Sequence, residues 1–400
     1  MSILKYLLLF LKQVSVQLAI SILLALFLGQ KIDVYYVSIS YTISFCFIEI
    51  LILMLPIIVF SFILRALINI KNGSLLLLTI IFLGVTCSNL LALTTAYLFG
   101  SLTLPYLNID HTPDFATKFA SSVEVLFNFN LPTLISTEKA MVAGVLLGLL
   151  INFLSDNNVV KQMVKVITLS LGDKVSYFLT KIFIPLLPLY VFGFCIKLSY
   201  DNALVHLFHQ YSRVFLLSMS LVICYIFVLY LIASKGKLKL TFTNLKIMLP
   251  AGLTGFSTMS SAATMPVTLK CTEDMTKDKN FADLIIPSTA NIHMLGDDLT
   301  IIMTALTLLS VFGFVAPNLG SFIPFAFAFS IAKLSCVGIP GASVLVVLPV
   351  LQNYLGFTPE MVSILATIYI LQDSFGTCAN VMGNGAFAMI VRRIFKFIEK

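Results

Sequence analysis

Three polar residues near the C-terminal end of the chain share one face of a predicted apolar helix. Asp373, Thr377 and Asn380 are separated by four and three residues, which places their side chains on one side of an α-helix. An aspartate within a membrane-spanning helix is energetically costly unless it is paired or hydrated, and it indicates a functional site by default. The pattern predicts a site for a polar ligand. The alternative is an aspartate that is hydrated in a water-filled crevice without any ligand.

A second polar group, His293, Asp297 and Asp298, falls in another apolar stretch within about one helical turn. Histidine titrates near physiological pH, and chains of histidine and aspartate inside membranes mark proton relays. The pattern therefore predicts proton coupling. Two alternatives remain: one of the aspartates neutralises Lys333 in a purely structural pair, or the aspartates lie at the end of a loop.

Two apolar segments that must position these groups are each interrupted by small, polar, Pro and Gly residues. The first interruption lies between Met248 and Pro266, and the second covers Ser335–Ser343 within an apolar stretch of residues 322–351. Backbone that leaves the helix at membrane depth is tolerated only where it lines a polar cavity or is buried in protein. Paired interruptions of this kind indicate the binding site of a secondary transporter. The alternative is that the small residues only pack helices together.

The composition is that of a membrane protein. Hydrophobic residues make up 59% of the 400 residues and charged residues 11%, and the mean hydropathy is +1.03. Soluble domains carry roughly 25% charged residues, so most of this chain must face lipid or protein. The net charge of +7 comes from short loops between apolar spans and does not indicate nucleic-acid binding.

Stretches of about 20 apolar residues cross a bilayer as helices. The sequence predicts an all-α polytopic membrane protein with eight transmembrane helices and two opposed re-entrant hairpins. The predicted spans are 13–30, 40–64, 75–100, 121–154, 176–199, 213–234, 284–313 (as an unbroken span) and 359–391, and the hairpins are 243–279 and 318–356.

The distribution of basic residues predicts the orientation, because loops rich in Lys and Arg face the cytoplasm. One side collects Arg65, Lys71, Lys161, Lys165, Lys235, Lys237, Lys239, Lys246, Lys270, Lys277, Lys279, Arg392, Arg393 and Lys396. The other side collects Asp110, His111, Asp114 and Asp201, with Lys31 and Lys118 as exceptions. We therefore expect a multi-pass protein of the cytoplasmic membrane with both termini in the cytoplasm.

Three strings in the C-terminal part, Ser260–Thr268, Ile339–Ala342 and Asp373–Asn384, follow one another in a distinctive order. They resemble the first hairpin tip, the second hairpin tip and the last span of the dicarboxylate/amino acid:cation symporter family, which has the glutamate-transporter fold. The N-terminal spans are similar mainly in hydropathy. The resemblance implies a homotrimer in which a transport core moves across the membrane like an elevator against an outer scaffold.

The resemblance also implies a division of the chain and a set of functional positions. Residues 1–240 supply mainly the scaffold, with spans 3 and 6 partly in the core, and residues 241–400 supply the transport core. The implied substrate-binding positions are Ser260, Ser261, Asp297, Ile339, Gly341, Asp373, Gly376, Thr377 and Asn380. The implied coupling positions are Asn291, His293, Asp298, Lys333 and Asn384.

The departures from the family pattern bear on the substrate. Members that carry acidic substrates place an arginine just before the threonine of the last span or at the first hairpin tip. Those positions are Gly376 and Met259 here, and no arginine lies between Arg213 and Arg392. A side-chain carboxylate would lack its bidentate partner. A small zwitterionic amino acid, neutral or basic, is therefore the predicted substrate.

Other departures bear on the coupling ion. Leu295 and Asn384 stand where the family has sodium-site aspartates, and His293 stands where it has an asparagine. Lys333 brings an ammonium group close to a third sodium position, where it would take the place of the cation. These changes predict transport without the usual sodium sites, with a proton as the candidate coupling ion.

The sequence thus predicts a secondary active transporter of small amino acids or related carboxylates. The alternatives are a sodium-coupled dicarboxylate or glutamate symporter and, from another class, an anion or solute channel. Ser257 with His293 and Asp297 lacks the strand–turn–helix elbow of a serine hydrolase, so no enzyme is predicted. No cofactor is predicted, and His206 and His209 lack a third ligand for a metal.

Overall fold

The computed structural model describes residues 14–68, 75–107, 123–127, 135–152, 159–336, 338 and 340–398, and every long element in these residues is a helix. The helices of the first part are α1 (Val14–Leu28), α2 (Val34–Ile68), α3 (Leu75–Thr103), α4 (Thr137–Asn152), α5 (Val159–Phe178), α6 (Ile184–Tyr200) and α7 (Ala203–Ala233). The later helices are α8 (Leu238–Thr258), α9 (Ser261–Thr276), α10 (Lys279–Thr289), α11 (Leu295–Val311), α12 (Leu319–Lys333), α13 (Ala342–Leu355) and α14 (Pro359–Ile398).

Five helical segments among the described residues are long and apolar enough to cross a membrane. They are Val34–Arg65, Ile80–Leu107, Val159–Tyr200, Tyr211–Ala233 and Pro359–Phe395. The other predicted crossings correspond to shorter helices, α1 and α4, and to the pair α10 and α11. Together with the two helical hairpins described below, these elements form the all-α polytopic architecture that the sequence predicts.

The first hairpin consists of α8 and α9, which pack against each other. The chain reverses at Met259, which adopts a left-handed conformation with a φ of 53°. Ser260 then caps α9, because its hydroxyl oxygen accepts a hydrogen bond from the Ala263 amide. The reversal falls within the predicted interruption, and α8 starts a few residues before the predicted boundary of residue 243.

The second hairpin consists of α12 and α13, which also pack against each other. Asn318 starts α12, since its side-chain oxygen accepts from the Ser321 amide. The helix ends at Lys333, and Gly341 precedes α13 with a φ of 75°. A residue with a Cβ atom is strained at this φ, so glycine allows the tip to enter α13 directly.

The prediction of an unbroken seventh span over residues 284–313 is wrong. Helix α10 ends at Thr289, and α11 begins only at Leu295. Side chains of other helices bind the backbone groups that the break releases: Asn89 Nδ2 of α3 donates to the Ile292 carbonyl over 2.8 Å, and Asn380 of α14 accepts from the start of α11. Hydropathy does not reveal this break, because the compensating partners lie far away in the sequence.

The fifth span is longer than the predicted residues 176–199. A π-helical turn at Leu179–Phe183 joins α5 and α6 into one helix from Val159 to Tyr200. The first part carries Lys161, Lys165 and Lys174 among its apolar residues, which lowers its mean hydropathy and hides it from a search for apolar spans. The predicted fourth span, 121–154, is described as helix only at α4.

Helix α14 lies at the centre of the C-terminal half. It buries 83% of its most apolar 18 residues, whereas the other four candidate spans bury no more than 50%. Helices α8, α9 and α11 pack against it. Helix α3 packs against α11, and α7 packs against both α11 and α14. The central helix therefore carries its polar face into a protein interior rather than into lipid.

Candidate functional site

Asp373 of α14 connects the central helix to the second hairpin. Its Oδ2 atom accepts a hydrogen bond of 2.8 Å from the Gly341 amide, and Oδ1 accepts from the Thr377 hydroxyl (3.0 Å) and the Tyr369 hydroxyl (3.3 Å). The residue is 3% exposed. Three donors satisfy much of its capacity and fix its orientation, so the carboxylate is held in place at the hairpin tip.

The two hairpin tips meet directly. The Ser260 hydroxyl donates to the Gly338 carbonyl over 2.5 Å, and the Ala262 amide donates to the same oxygen over 3.2 Å. The Gly338 amide in turn donates to Asn291 Oδ1 over 3.0 Å. Ser261 is buried beside this contact, since a Cβ atom on Gly338 would lie 3.1 Å from the Cβ atom of Ser261. The contact thus joins both hairpins to the break between α10 and α11.

Asn380 caps helix α11 from the side. Its Oδ1 atom accepts from the amides of Gly296 (2.8 Å) and Asp297 (3.2 Å), two donors that have no partner within the first turn of α11. The Asn380 side-chain oxygen is therefore occupied by backbone donors. Its amide nitrogen is the group that remains to donate to a carboxylate.

A buried cation lies between two buried carboxylates at the end of α12. Lys333 Nζ is 3.6 Å from Asp297 Oδ2 and 3.5 Å from Asp298 Oδ1. It also donates to the Ser343 hydroxyl, and its side chain is fully buried. Charges this deep are retained only when they are paired, because burying a single ion costs several kcal/mol. Lys333 and the aspartates are therefore one electrostatic unit that links the second hairpin to α11.

The Asp297 carboxylate packs against helix α14 at Gly376. A Cβ atom placed on Gly376 would lie 2.6 Å from Asp297 Oδ1, which is closer than real Cβ contacts. The same oxygen is buried and accepts no hydrogen bond from any described residue. Because Gly376 has no side chain, the Asp297 carboxylate can lie against α14 while its Oδ1 atom remains an unused hydrogen-bond acceptor.

His293 occupies a separate place from the two aspartates. Its Nδ1 atom is 3.0 Å from Asn384 Oδ1, its Nε2 atom is 2.9 Å from the Ser88 hydroxyl, and its ring packs on Phe387. A neutral imidazole with its proton on Nδ1 satisfies both contacts, donating to Asn384 and accepting from Ser88. Within the described residues, His293 forms no ion pair or hydrogen bond with Asp297 or Asp298.

The structure therefore divides the predicted positions into neighbouring groups. Asp373, Thr377 and Gly341 form the first group, the hairpin tips with Asn291 the second, and Lys333 with Asp297 and Asp298 the third. His293 and Asn384 form a fourth, and Asn380 joins the first helix turn of α11 to α14. Ile339 lies outside the described residues. The functional roles of these positions stay predictions.

The sequence patterns did not single out four partners that the structure adds: Ser88, Gly338, Ser343 and Tyr369. Ser343 and Gly338 lie within the second interruption, which was a usable signal. Tyr369 precedes Asp373 by one helical turn, and that spacing also was a signal. Nothing in the local sequence of α3 marks Ser88 as a partner of His293.

Replacing Gly376 with alanine is expected to destabilise the protein, because the new methyl group collides with Asp297 Oδ1. Overpacking a filled interior costs about 1–3 kcal/mol. The thermal midpoint of the purified protein is the measurement. Gly320→Ala is the matched control, since its added Cβ would meet only Asn318 Oδ1, at 3.2 Å. A Gly376→Ala protein as stable as the control would contradict the close approach of Asp297.

Comparison with known proteins supplies a family. The model of the sodium:dicarboxylate symporter family matches residues 14–394. Excitatory amino acid transporter 3 of Mus musculus is 29% identical over 150 residues, which cover 37% of this chain and 28% of that protein. Excitatory amino acid transporter 2 of Rattus norvegicus is 30% identical over 147 residues, which cover 36% and 25% of the two chains.

Excitatory amino acid transporter 1 of Homo sapiens is 29% identical over 148 residues, which cover 37% of this chain and 27% of that protein. The matched region therefore spans about a quarter of the length of each of these relatives.

Proposed function

Because the chain belongs to the sodium:dicarboxylate symporter family, we propose that it is a secondary transporter that carries a small zwitterionic amino acid, neutral or basic, without the family's usual sodium sites. Members of this family are transporters rather than enzymes, and the description of the family as symporters does not favour a channel. The proposal adds a substrate class and a mode of coupling to that family assignment.

The observation that carries the proposal is the fully buried Lys333 ammonium, which lies 3.6 Å from Asp297 and 3.5 Å from Asp298. A cation attached to the second hairpin neutralises nearby carboxylates as a bound ion would. It also repels a second cation in the same space, because two like charges about 4 Å apart interact by about 4 kcal/mol near a protein surface and by more in its interior. The carboxylates of this cluster therefore need no sodium ion for charge compensation, and the ammonium repels one.

Two further contacts support a sodium-independent site. Leu295 packs against α14 so closely that a Cβ atom on Gly383 would lie 2.6 Å from Leu295 Cδ2, and an isobutyl side chain offers no ligand to a cation. Asn384 and His293 satisfy each other over 3.0 Å instead of facing an ion. At both positions where the resemblance implies lost sodium-site aspartates, protein atoms fill the space.

The carboxylates in the site support the substrate class. We expect Asp373 to pair with the ammonium of an amino acid, and the amide nitrogen of Asn380 together with the helix starts at the hairpin tips to bind its carboxylate. Asp297 Oδ1 offers an unused acceptor next to Gly376. A buried acceptor favours a substrate side chain that donates a hydrogen bond or carries a positive charge, and it disfavours glutamate or aspartate.

The proposal includes assembly and location. We expect a homotrimer in the cell membrane with both termini in the cytoplasm, and a scaffold of residues 1–240 around a core of residues 241–400. The packing of α3 against α11 and of α7 against α14 supports a partial contribution of spans 3 and 6 to the core. Native mass measurement of the protein in lipid nanodiscs, and labelling of terminal cysteines from each side of the membrane, test these points.

Uptake into liposomes with imposed gradients tests the proposed function. We expect accumulation of a neutral or basic amino acid without sodium, driven by an inside-alkaline pH gradient. An inside-negative potential is expected to add to it by up to about 2.3 kcal/mol per 100 mV for each net positive charge carried. Glutamate in excess is expected not to compete. If His293 carries the proton, His293→Gln abolishes the pH dependence; if a neighbouring aspartate carries it, the dependence remains.

Strict dependence on sodium would contradict the proposal and favour the alternative, a sodium-coupled symporter. Sodium-free uptake that is indifferent to pH in both proteins would instead indicate a facilitator or exchanger. Currents that do not depend on a substrate gradient would indicate a channel.

A further inference from the structure

With a neutral amino acid as substrate, the aspartates inside the site do not all have a cation. Lys333 contributes one positive charge, whereas Asp297, Asp298 and Asp373 are buried carboxylates. The ammonium of a zwitterionic substrate compensates Asp373, its carboxylate is left to the neutral donors of Asn380 and the hairpin tips, and Lys333 compensates one of the other two aspartates. One aspartate remains without a cation, and an uncompensated charge in a core that must cross a membrane is costly.

The contacts identify Asp298 as this carboxylate. Neither Asp298 oxygen accepts a hydrogen bond from a described residue, and the side chain is fully buried. Asp373 has three donors. Lys333 Nζ lies at similar distances from the other two, 3.6 Å from Asp297 Oδ2 and 3.5 Å from Asp298 Oδ1, but both oxygens of Asp298 and only Oδ1 of Asp297 are buried without a hydrogen bond in the part of the chain that the structure describes. A buried ionised carboxylate without donors loses its hydration uncompensated, whereas the neutral acid loses far less.

We propose that Asp298 is the binding site of the proton that the transporter exchanges between the two sides of the membrane. The proposal rests on the proposed sodium-independent transport. A proton from solution binds the Asp298 carboxylate while the site faces outward and leaves it when the site faces the cytoplasm. In the protonated, loaded core, Lys333 pairs with Asp297 and the substrate ammonium with Asp373, so that each remaining cation has one carboxylate.

The groups around Asp298 support this assignment over His293. The charged or titratable groups that face Asp298 are Lys333 of α12, Asp297 of α11 and Tyr225 of α7, whose hydroxyl has no hydrogen-bond partner among the described residues. His293 has both ring nitrogens occupied by Asn384 and Ser88. Neither partner is a carboxylate, so no negative charge among its described contacts favours a protonated imidazole.

Among the described residues, the remaining helices that pack against α11 add no further charge next to Asp298. On α14, Asp373 and Tyr369 face Asp297, as does Cys336 from the second hairpin tip. On α3, the Tyr97 hydroxyl donates to the Pro317 carbonyl. The other titratable residues of α3 and α13 are Cys87 and Tyr354. Lys333 is thus the one cation that acts directly on Asp298 among the described residues.

Asp298→Asn tests the assignment, because an amide has the shape of the protonated acid and cannot release a proton. A gradient of about two pH units drives at most about 100-fold accumulation per proton. We expect the unmodified protein to approach this limit and Asp298→Asn to fall to about one-fold, with no alkalinisation of the medium on substrate addition. Exchange of labelled for unlabelled substrate is expected to continue and to become independent of external pH. Asp283→Asn, an exposed carboxylate of α10, is the matched control and is expected to behave as the unmodified protein.

A measurement on substrate binding keeps the test decisive if Asp298→Asn does not transport. The infrared difference spectrum on substrate addition is expected to show the band of a protonated carboxyl in the unmodified protein and in Asp283→Asn, and to lack it in Asp298→Asn. Proton-driven accumulation, or persistence of this band, in Asp298→Asn would overturn the inference. Absence of any sodium-free uptake or exchange by the unmodified protein would instead contradict the proposed function.

Discussion

Substrate uptake is expected to disappear when Asp373 is replaced with alanine. The carboxylate is 3% exposed and holds the Gly341 amide at 2.8 Å, so the substitution removes both the proposed partner of the substrate ammonium and an anchor of the second hairpin. Truncating one side of a buried charge pair costs about 2–5 kcal/mol, equivalent to an affinity lowered about 30- to 5,000-fold. Binding of labelled substrate to the purified protein and its uptake into liposomes are the measurements.

Asp373→Asn separates the two roles of the carboxylate. The amide oxygen still accepts a hydrogen bond from Gly341, but the negative charge is gone. We expect this variant to fold with the hairpin in place and to bind an amino acid as poorly as Asp373→Ala does. Unchanged uptake by Asp373→Asn would show that no ammonium pairs with this position, and the substrate assignment would then be wrong.

Replacing Lys333 with methionine is expected to have the second large effect. The substitution leaves Asp297 and Asp298 close together, buried and without their cation. Breaking a buried ion pair by removing one partner costs about 3–5 kcal/mol. We expect a lower thermal midpoint of the purified protein and loss of sodium-free uptake, since the loaded core would then carry an uncompensated charge.

The double variant Lys333→Met with Asp298→Asn provides the internal test. Because it removes one charge of each sign, its stability is expected to exceed that of Lys333→Met alone. Lys270→Met is the matched control: its ammonium also contacts two carboxylates, those of Glu273 and Asp274 at 3.4 and 3.3 Å, but it is 65% exposed. We expect little change in the control. A Lys333→Met protein as stable as the control would exclude an ion pair in the interior.

Family and architecture follow largely from the chain itself. Three strings around Ser260, Pro340 and Asp373 predicted the family, and the match over residues 14–394 confirms it. The interruptions predicted two hairpins, and the chain reverses at Met259 and between Lys333 and Gly341. These features are local: loss of helical backbone depends on nearby Gly and Pro, and the length of an apolar run sets the length of a span.

The boundaries were harder to predict where local sequence and tertiary contacts disagree. The apolar run across residues 284–313 suggests one helix, yet the chain leaves the helix after Thr289, and Asn89 and Asn380 bind the backbone groups that the break releases. At the start of the fifth span, three lysines hid a helix that continues into the apolar part. Neither outcome is encoded in a window of adjacent residues.

By itself, the sequence determined that the chain spans a membrane, that two of its segments double back, and that Asp373, Thr377 and Asn380 share a helix face. Helical periodicity and the cost of exposed backbone in lipid are sufficient for those statements. Only the tertiary structure decided that Lys333 lies between Asp297 and Asp298, and that His293 turns away from both toward Ser88, which is 205 positions away in the chain. Such pairings depend on how helices from distant parts of the chain pack, and side-chain spacing along one helix cannot specify them.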